Sequence, residues 1–205
     1  MDELYEFIEQ FATEMRIDES HGLSHSKSAV HWATLLMDSF PDISIDERTL
    51  ILYSIALHDM CDSKYTNVDY ASKRLYLWLV NHGLTHHLAS ASIGIMTTMS
   101  YSKLKKEMIN NKPSYPDHGP WTRAYHIVRH ADLLDAYTVK RCFLYNKHIY
   151  PDLPDEDTWT SVKVLFQKRM FQYVSDGWIF YPKAIELATE LEKTARECIE
   201  QKRLI

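Results

Sequence analysis

Apolar residues recur along this chain at steps of three and four, the period of helices that bury one face. Leu4, Ile8, Phe11 and Met15 mark a first helix, and Val30, Ala33 and Met37 a second. Ser24 is the expected N-cap of the second helix, which carries His25 in its first turn and runs to about Phe40, before Pro41. Asp46 is the expected N-cap of a third, which passes through Leu50 and Ile51 to Ala56 and Leu57 and ends at the pair His58-Asp59. A fourth opens at Asn67 or Asp69, runs through Leu75 and Leu79, and stops at Asn81-His82-Gly83. A fifth covers residues 85–99.

A loop punctuated by Pro113, Pro116, Gly119 and Pro120 follows. The next helix starts near Trp121 and places Ile127, Ala131, Leu134 and Thr138 on one face, with Asp132 and Asp135 on a neighbouring one. Beyond Pro151 and Pro154 a helix spans residues 158–174, stopped by Gly177. Pro182 suits the first turn of a last helix, in which Ala184, Ala188, Leu191, Ala195 and Cys198 step by four, three, four and three. The pattern predicts a single all-α domain over residues 1–205, of about eight helices. A subdomain split, which the pattern does not favour, would fall at the loop of residues 151–154.

Composition changes this picture little. With 205 residues, 45% of them hydrophobic, the chain can bury a sizeable core, and only five glycines and seven prolines disfavour a turn-rich β architecture. A net charge of -5 argues against a general nucleic-acid binder but leaves room for a local basic pocket. Cys61, Cys142 and Cys198 are odd in number and share no close spacing, which disfavours a disulfide framework or a cysteine zinc site. The start Met1-Asp2-Glu3 shows no signal-peptide pattern, and no apolar run is long enough to span a bilayer. A cytoplasmic protein is expected.

The candidate chemistry lies in three scattered pieces: His25, the pair His58-Asp59, and Asp132. Two imidazoles and two carboxylates suit one divalent ion (Mn, Fe, Co, Ni, Zn or Mg) with coordination positions left open. Neighbours in a regular helix point about 100° apart, so His58 and Asp59 share an ion only if the backbone bends at the helix end. Asp62, just beyond the pair, is the candidate to orient or deprotonate a water. Lys64, His21, Lys103 and Arg123 are candidate contacts for a substrate phosphate, as is Arg141. Each has a plainer alternative as a solvated or capping side chain. Asp135 reads as a partner of a ligating imidazole or as a structural residue of its own helix. Trp121 and Tyr125 are the aromatic pair best placed to stack a base.

These pieces also carry a resemblance. Ser20-His21-Gly22-Leu23-Ser24-His25, Leu57-His58-Asp59-Met60-Cys61-Asp62-Ser63-Lys64 and Ala131-Asp132-Leu133-Leu134-Asp135-Ala136 resemble, in this order, the HD-domain metal-dependent phosphohydrolase superfamily. Asp62 and Lys64 are similar to positions in small bacterial-type HD hydrolases that act on nucleotides. The resemblance covers residues 18–136. It implies an all-α fold, a metal-site core over those residues with the C-terminal helices of 158–203 packed on it, and one divalent metal held by His25, His58, Asp59 and Asp132. It further implies hydrolysis of a phosphate ester or anhydride of a small phosphorylated metabolite, foremost a nucleotide, and a homodimer formed through outer helices. His130 departs from the family, whose members often carry an acidic residue there, and so does the stretch Tyr137-Thr138-Val139-Lys140-Arg141. Two alternatives accompany this reading. One is a two-metal phosphodiesterase drawing on His82, His86 and His87; the other is a catalytically idle domain that senses a nucleotide or metal.

Overall fold

The computed structural model describes residues 1–110 and 112–204, with the backbone alone at Glu19. The fold is all-α. Ten helices occur among the described residues: α1 (Asp2–Met15), α2 (Leu23–Met37), α3 (Ile45–Leu57), α4 (Val68–Asn81), α5 (His86–Thr98), α6 (Tyr101–Lys106), α7 (Thr122–Asp135), α8 (Val139–Ile149), α9 (Asp155–Lys168) and α10 (Pro182–Gln201). Single 3-10 turns lie at Glu19–His21, His58–Cys61, Gly119–Trp121 and Met170–Gln172. Extended pairing among the described residues is limited to one bridge between Ile109 and Lys112.

Two helices exceed the expected eight. Helix α6 spans only 6 residues, too few to display an apolar stripe. Helix α8 buries Val139, Cys142 and Phe143 just beyond Thr138, where the expected face of α7 ended and no separate helix was predicted. The chain instead turns after Asp135, where Tyr137 and Thr138 donate to the carbonyls of Leu134 and Asp135. Thr138 is therefore the N-cap position of α8 rather than part of the face of α7.

Three helix starts also differ from expectation. Gly22, not Ser24, is the N-cap of α2, so Ser24 lies inside the helix. The cap of α3 is Ser44, whose side chain accepts from the Glu47 amide at 3.1 Å. Asp46 lies in the first turn instead, where its charge faces the positive end of the helix dipole. Ser44-Ile45-Asp46-Glu47 carries the spacing of a capping box, a signal present in the sequence. Helix α9 starts at Asp155, directly after Pro154, and stops at Lys168 rather than continuing to Val174. Asn67, one of the two residues expected to open α4, caps it through its side chain, and Thr85 caps α5 in the same way.

The chain divides into two compact units, Met1–Ala131 and Asp132–Ile205. The division falls inside α7, not at the loop of residues 151–154. In the first unit α3 packs on both α2 and α5, and α4 packs on α5. Helix α3 can do so because Leu50, Ile51, Ile55, Ala56 and Leu57 are all buried, which leaves it apolar on more than one face. Ser54 and Ser92 share a 2.9 Å hydrogen bond within the buried α3–α5 contact. The second unit closes on the buried aromatics Phe143, Trp159, Phe166, Tyr173 and Trp178, with Tyr137 donating to the Met170 carbonyl at 2.8 Å. No helix among the described residues is long and apolar enough to cross a membrane.

The cap assignment of α3 is directly testable. Ser44→Ala should lower unfolding free energy by about 1 kcal/mol, and Asp46→Ala by only a few tenths, in urea denaturation.

Candidate metal centre

His25 reaches the site from the first turn of α2, and His58 and Asp59 from the 3-10 turn that follows α3. Because α3 is buried up to Leu57, the residues that continue it are delivered into the protein interior. His25, His58 and Asp59 are 3%, 7% and 7% exposed. The tightening from α-helix to 3-10 turn at His58 is the bend that lets adjacent side chains face one point.

They do face one point. His25 Nε2 lies 3.2 Å from His58 Nε2 and 3.2 Å from Asp59 Oδ2, and His58 Nε2 lies 3.4 Å from Asp59 Oδ1. His58 Nδ1 donates to the Ile55 carbonyl at 2.7 Å, so the neutral ring turns its Nε2 lone pair inward. Asp132 completes the group: one ligand atom each from His25, His58 and Asp132 lies within 4.8 Å of the others.

The donor set fits a divalent ion. Nitrogen and oxygen ligands about 2.1 Å from a common ion stand about 3.0–3.4 Å apart at octahedral and tetrahedral angles, the spacing seen here. The inward lone pair of His58 and the Asp59 carboxylate at such distances repel one another unless a proton or cation lies between them. No hydrogen bond satisfies the buried Oδ2 of Asp59; what it faces is His25 Nε2. Burial by itself would raise the Asp59 carboxyl, but the adjoining imidazoles of His58 and His25 outweigh it and hold the group well below the usual carboxylate range. It is anionic at neutral pH.

A second cluster adjoins this one. The buried carboxylate of Asp18 accepts from the Ser20 amide at 3.0 Å, from the Ser20 hydroxyl, from His21 Nδ1 at 3.0 Å and from the Tyr65 hydroxyl. Asp18 thereby ties the segment leading to His25 to the loop following His58-Asp59. Burial opposes its charge, yet the bonds from His21, Ser20 and Tyr65 bring it well below the usual range. Asp18 escaped the sequence reading, although it stands seven residues before His25 in the stretch that opens the motif.

The remaining candidates are dispersed. Asp62 follows the 3-10 turn, half-buried, and its Oδ1 accepts from the Lys64 amide at 2.9 Å, while Lys64 is exposed. His21 is half-buried, with its ring 6.3 Å from that of His25. Lys103, on α6, donates to the Thr97 carbonyl at 3.3 Å. Arg123 is held by Glu47 at 2.8 and 2.5 Å and by Asp42 at 2.8 Å, an ion-paired role that fastens α7 to α3. Arg141 pairs with the buried Asp135 at 3.3 Å, which gives Asp135 a structural partner in its own unit.

Tyr125 is fully buried and Trp121 packs 5.8 Å from His87, so neither ring of that pair forms an open stacking platform together with the other. His82, His86 and His87 turn to different neighbours, Trp78, Tyr76 and Trp121. Around His126, burial and the charges of Arg129 and His118 push the imidazole down to about 4.

No protein-family model matches the sequence, and neither does any curated protein. Among solved structures, Bacillus subtilis YpgQ, crystallised in complex with ADP, matches with a TM-score of 0.67 over 98% of this chain and 91% of that chain. The fold is shared with YpgQ. Sequence identity is 18%, so the likeness to YpgQ is one of fold.

Asp18→Ala should cost about 2–3 kcal/mol and Tyr65→Phe about 1 kcal/mol in chemical denaturation, because the first leaves several donors unmet and the second removes one bond. Since the folded-state pKa of Asp18 is depressed, its contribution is complete above pH 4 or so and fades as pH falls further. The His126 effect has its own window. The unfolded chain takes up this proton near pH 6.5, the folded one only near 4, so stability falls as pH drops from about 6.5 toward 4. Thermal melts at pH 7 and pH 5 should show a smaller acid loss for His126→Gln than for the parent.

Proposed function

We propose that this protein is a divalent-metal phosphohydrolase of the HD superfamily, acting on a small phosphorylated metabolite, foremost a nucleotide. The observation that carries the reading is the convergence of His25 Nε2, His58 Nε2 and the Asp59 carboxylate at 3.2–3.4 Å in a buried position. Asp132 would be the fourth ligand. The fold shared with YpgQ, which binds ADP, supports a nucleotide as ligand. The three buried free thiols fit a reducing, cytoplasmic setting.

His25, His58, Asp59 and Asp132 would hold the divalent ion, which when bound would polarise a phosphoryl oxygen and acidify a water. The protein's own residues do the rest. His58 presents Nε2 because Ile55 fixes its Nδ1 proton, and Asp59 stays anionic inside a low-dielectric site. Asp62 accepts the proton of the attacking water, since it is the carboxylate nearest in sequence beyond the ligand pair and is not fully buried. Lys64 meets a phosphate as a point charge. His21, oriented through Nδ1 by Asp18, is placed to donate toward a substrate oxygen.

Purified protein incubated with a panel of nucleotides and Mn, Co or Mg should release phosphate or pyrophosphate, and His58→Ala or Asp59→Ala should reduce release to background. Titration with Mn, followed calorimetrically, should show one site that both substitutions abolish. Turnover that survives both substitutions overturns the assignment, whereas metal and nucleotide binding without turnover leaves an idle sensor.

A further inference from the structure

The first unit holds a second polar recess, formed by the end of α5, the short helix α6 and the loop of residues 113–118. Its volume is about 280 Å3, and Thr97, Lys103, Glu107, Ser114 and Tyr115 are among the residues that line it. The loop that forms one wall is pinned at two points. Tyr115 lies over the guanidinium of Arg129, 4.1 Å from ring centroid to Cζ, and Arg129 is 2% exposed. His118 stacks on the buried Tyr125 at 4.3 Å and shares a 3.0 Å hydrogen bond with Thr98 Oγ1. Tyr125 in turn donates to the Thr98 carbonyl at 3.3 Å. A loop fastened in this way to α5 and α7 makes the recess a preformed cavity rather than a gap between mobile segments.

The chemistry of the lining selects the ligand. Lys103 is half-buried and places its ammonium group at the recess, where it donates to the Thr97 carbonyl. Arg129 adds a second permanent positive charge behind the Tyr115 ring. Arg129 Nη1 also lies 3.3 Å from His126 Nδ1, and that imidazole is held neutral between cationic and buried surroundings. Glu107 is the opposing carboxylate and is exposed at the rim. One cation in the lining, Lys103, backed by the buried Arg129 and accompanied by the hydroxyl-bearing Thr97, Ser114 and Tyr115, with Glu107 exposed at the rim, suits a compact anion that accepts several hydrogen bonds. Helix α5, whose end forms one wall of the recess, packs on the 3-10 turn of His58–Cys61, and Arg129 precedes Asp132 by one helical turn on α7.

We propose that this recess is a phosphoryl-binding subsite, anchored by Lys103 and backed by the Arg129–Tyr115 stack, which takes a phosphoryl group other than the one engaged by the metal ligands. The proposal rests on the phosphohydrolase reading only for the identity of the second phosphoryl group; binding of the anion itself needs no metal. Lys103 is then a specificity-determining contact, and Tyr115 both lines the recess and positions the loop.

The test uses the full chain freed of metal with EDTA, so that the recess is read without the metal centre. Pyrophosphate, inorganic phosphate, ADP and adenosine are titrated by calorimetry, with circular dichroism confirming that every variant is folded. Phosphate-bearing probes should bind and adenosine should not. Lys103→Ala and Lys103→Met should each weaken pyrophosphate binding about tenfold or more, as expected for loss of a charge-assisted contact. Tyr115→Phe should weaken it less, since the ring remains on Arg129. Lys106→Ala, which removes an exposed cation of the same helix outside the recess, should leave it unchanged. Absence of pyrophosphate binding, equal affinity in the Lys103 variants, or an equal loss in Lys106→Ala overturns the subsite. Mn titration of the same variants separates this outcome from failure of the metal reading, because Lys103→Ala should bind Mn like the parent while His58→Ala does not.

Discussion

Everything at the candidate centre follows from an electrostatic demand in the interior of the first unit. Two imidazole nitrogens and a carboxylate stand 3.2–3.4 Å apart where water has little access, and that arrangement needs positive charge at its middle. The architecture around it can be understood as the means of holding those three side chains there. Helix α3 is apolar on more than one face, so its C-terminal end is delivered into the core, and the tighter 3-10 turn swings His58 and Asp59 to the same side. The Ile55 carbonyl, one turn back, sets the proton on His58 and so decides which nitrogen faces inward.

Around the centre, charge is arranged in layers of different purpose. Asp18 joins the segment before His25 to the loop after Asp59 through Tyr65, and it orients His21. Arg123 uses its charge on Glu47 and Asp42, where it secures helices rather than substrate. Arg129 and Lys103 set positive charge beside the recess of α5, α6 and the following loop. Charged side chains thus serve as clasp and as brace, and the partner each one meets decides which.

The sequence was legible where a signal is local. Helical periodicity marked most of the helices, Asn67 was one of two residues expected to open its helix, and the expectation of an all-α fold agrees with the structure. It was less legible just beyond Thr138, where α8 stands and no separate helix was predicted, or where a helix is as short as α6. The cap of α3 was placed at Asp46 although Ser44 and Glu47 carried the capping-box spacing. Arg123 illustrates another limit: a lone arginine looks the same whether it awaits a phosphate or is paired with two carboxylates far along the chain. Asp18 and Arg129 had no signal that set them apart from other charged residues.

By itself, the sequence determined the inventory and its order: helices with one or more buried faces, and His25, His58-Asp59 and Asp132 at points where apolar stretches begin or end. Those are properties of neighbours in the chain, fixed by periodicity and side-chain type. Only the tertiary structure decided which residues meet. His25 and His58 are 33 positions apart, and Tyr65 and Asp18 are 47 apart. Their contact depends on how α2 and α3 pack, and on the tightened turn after Leu57 that aims two adjacent side chains at one point. Long-range approach is bought by burial of whole helix faces, and no single residue carries that information.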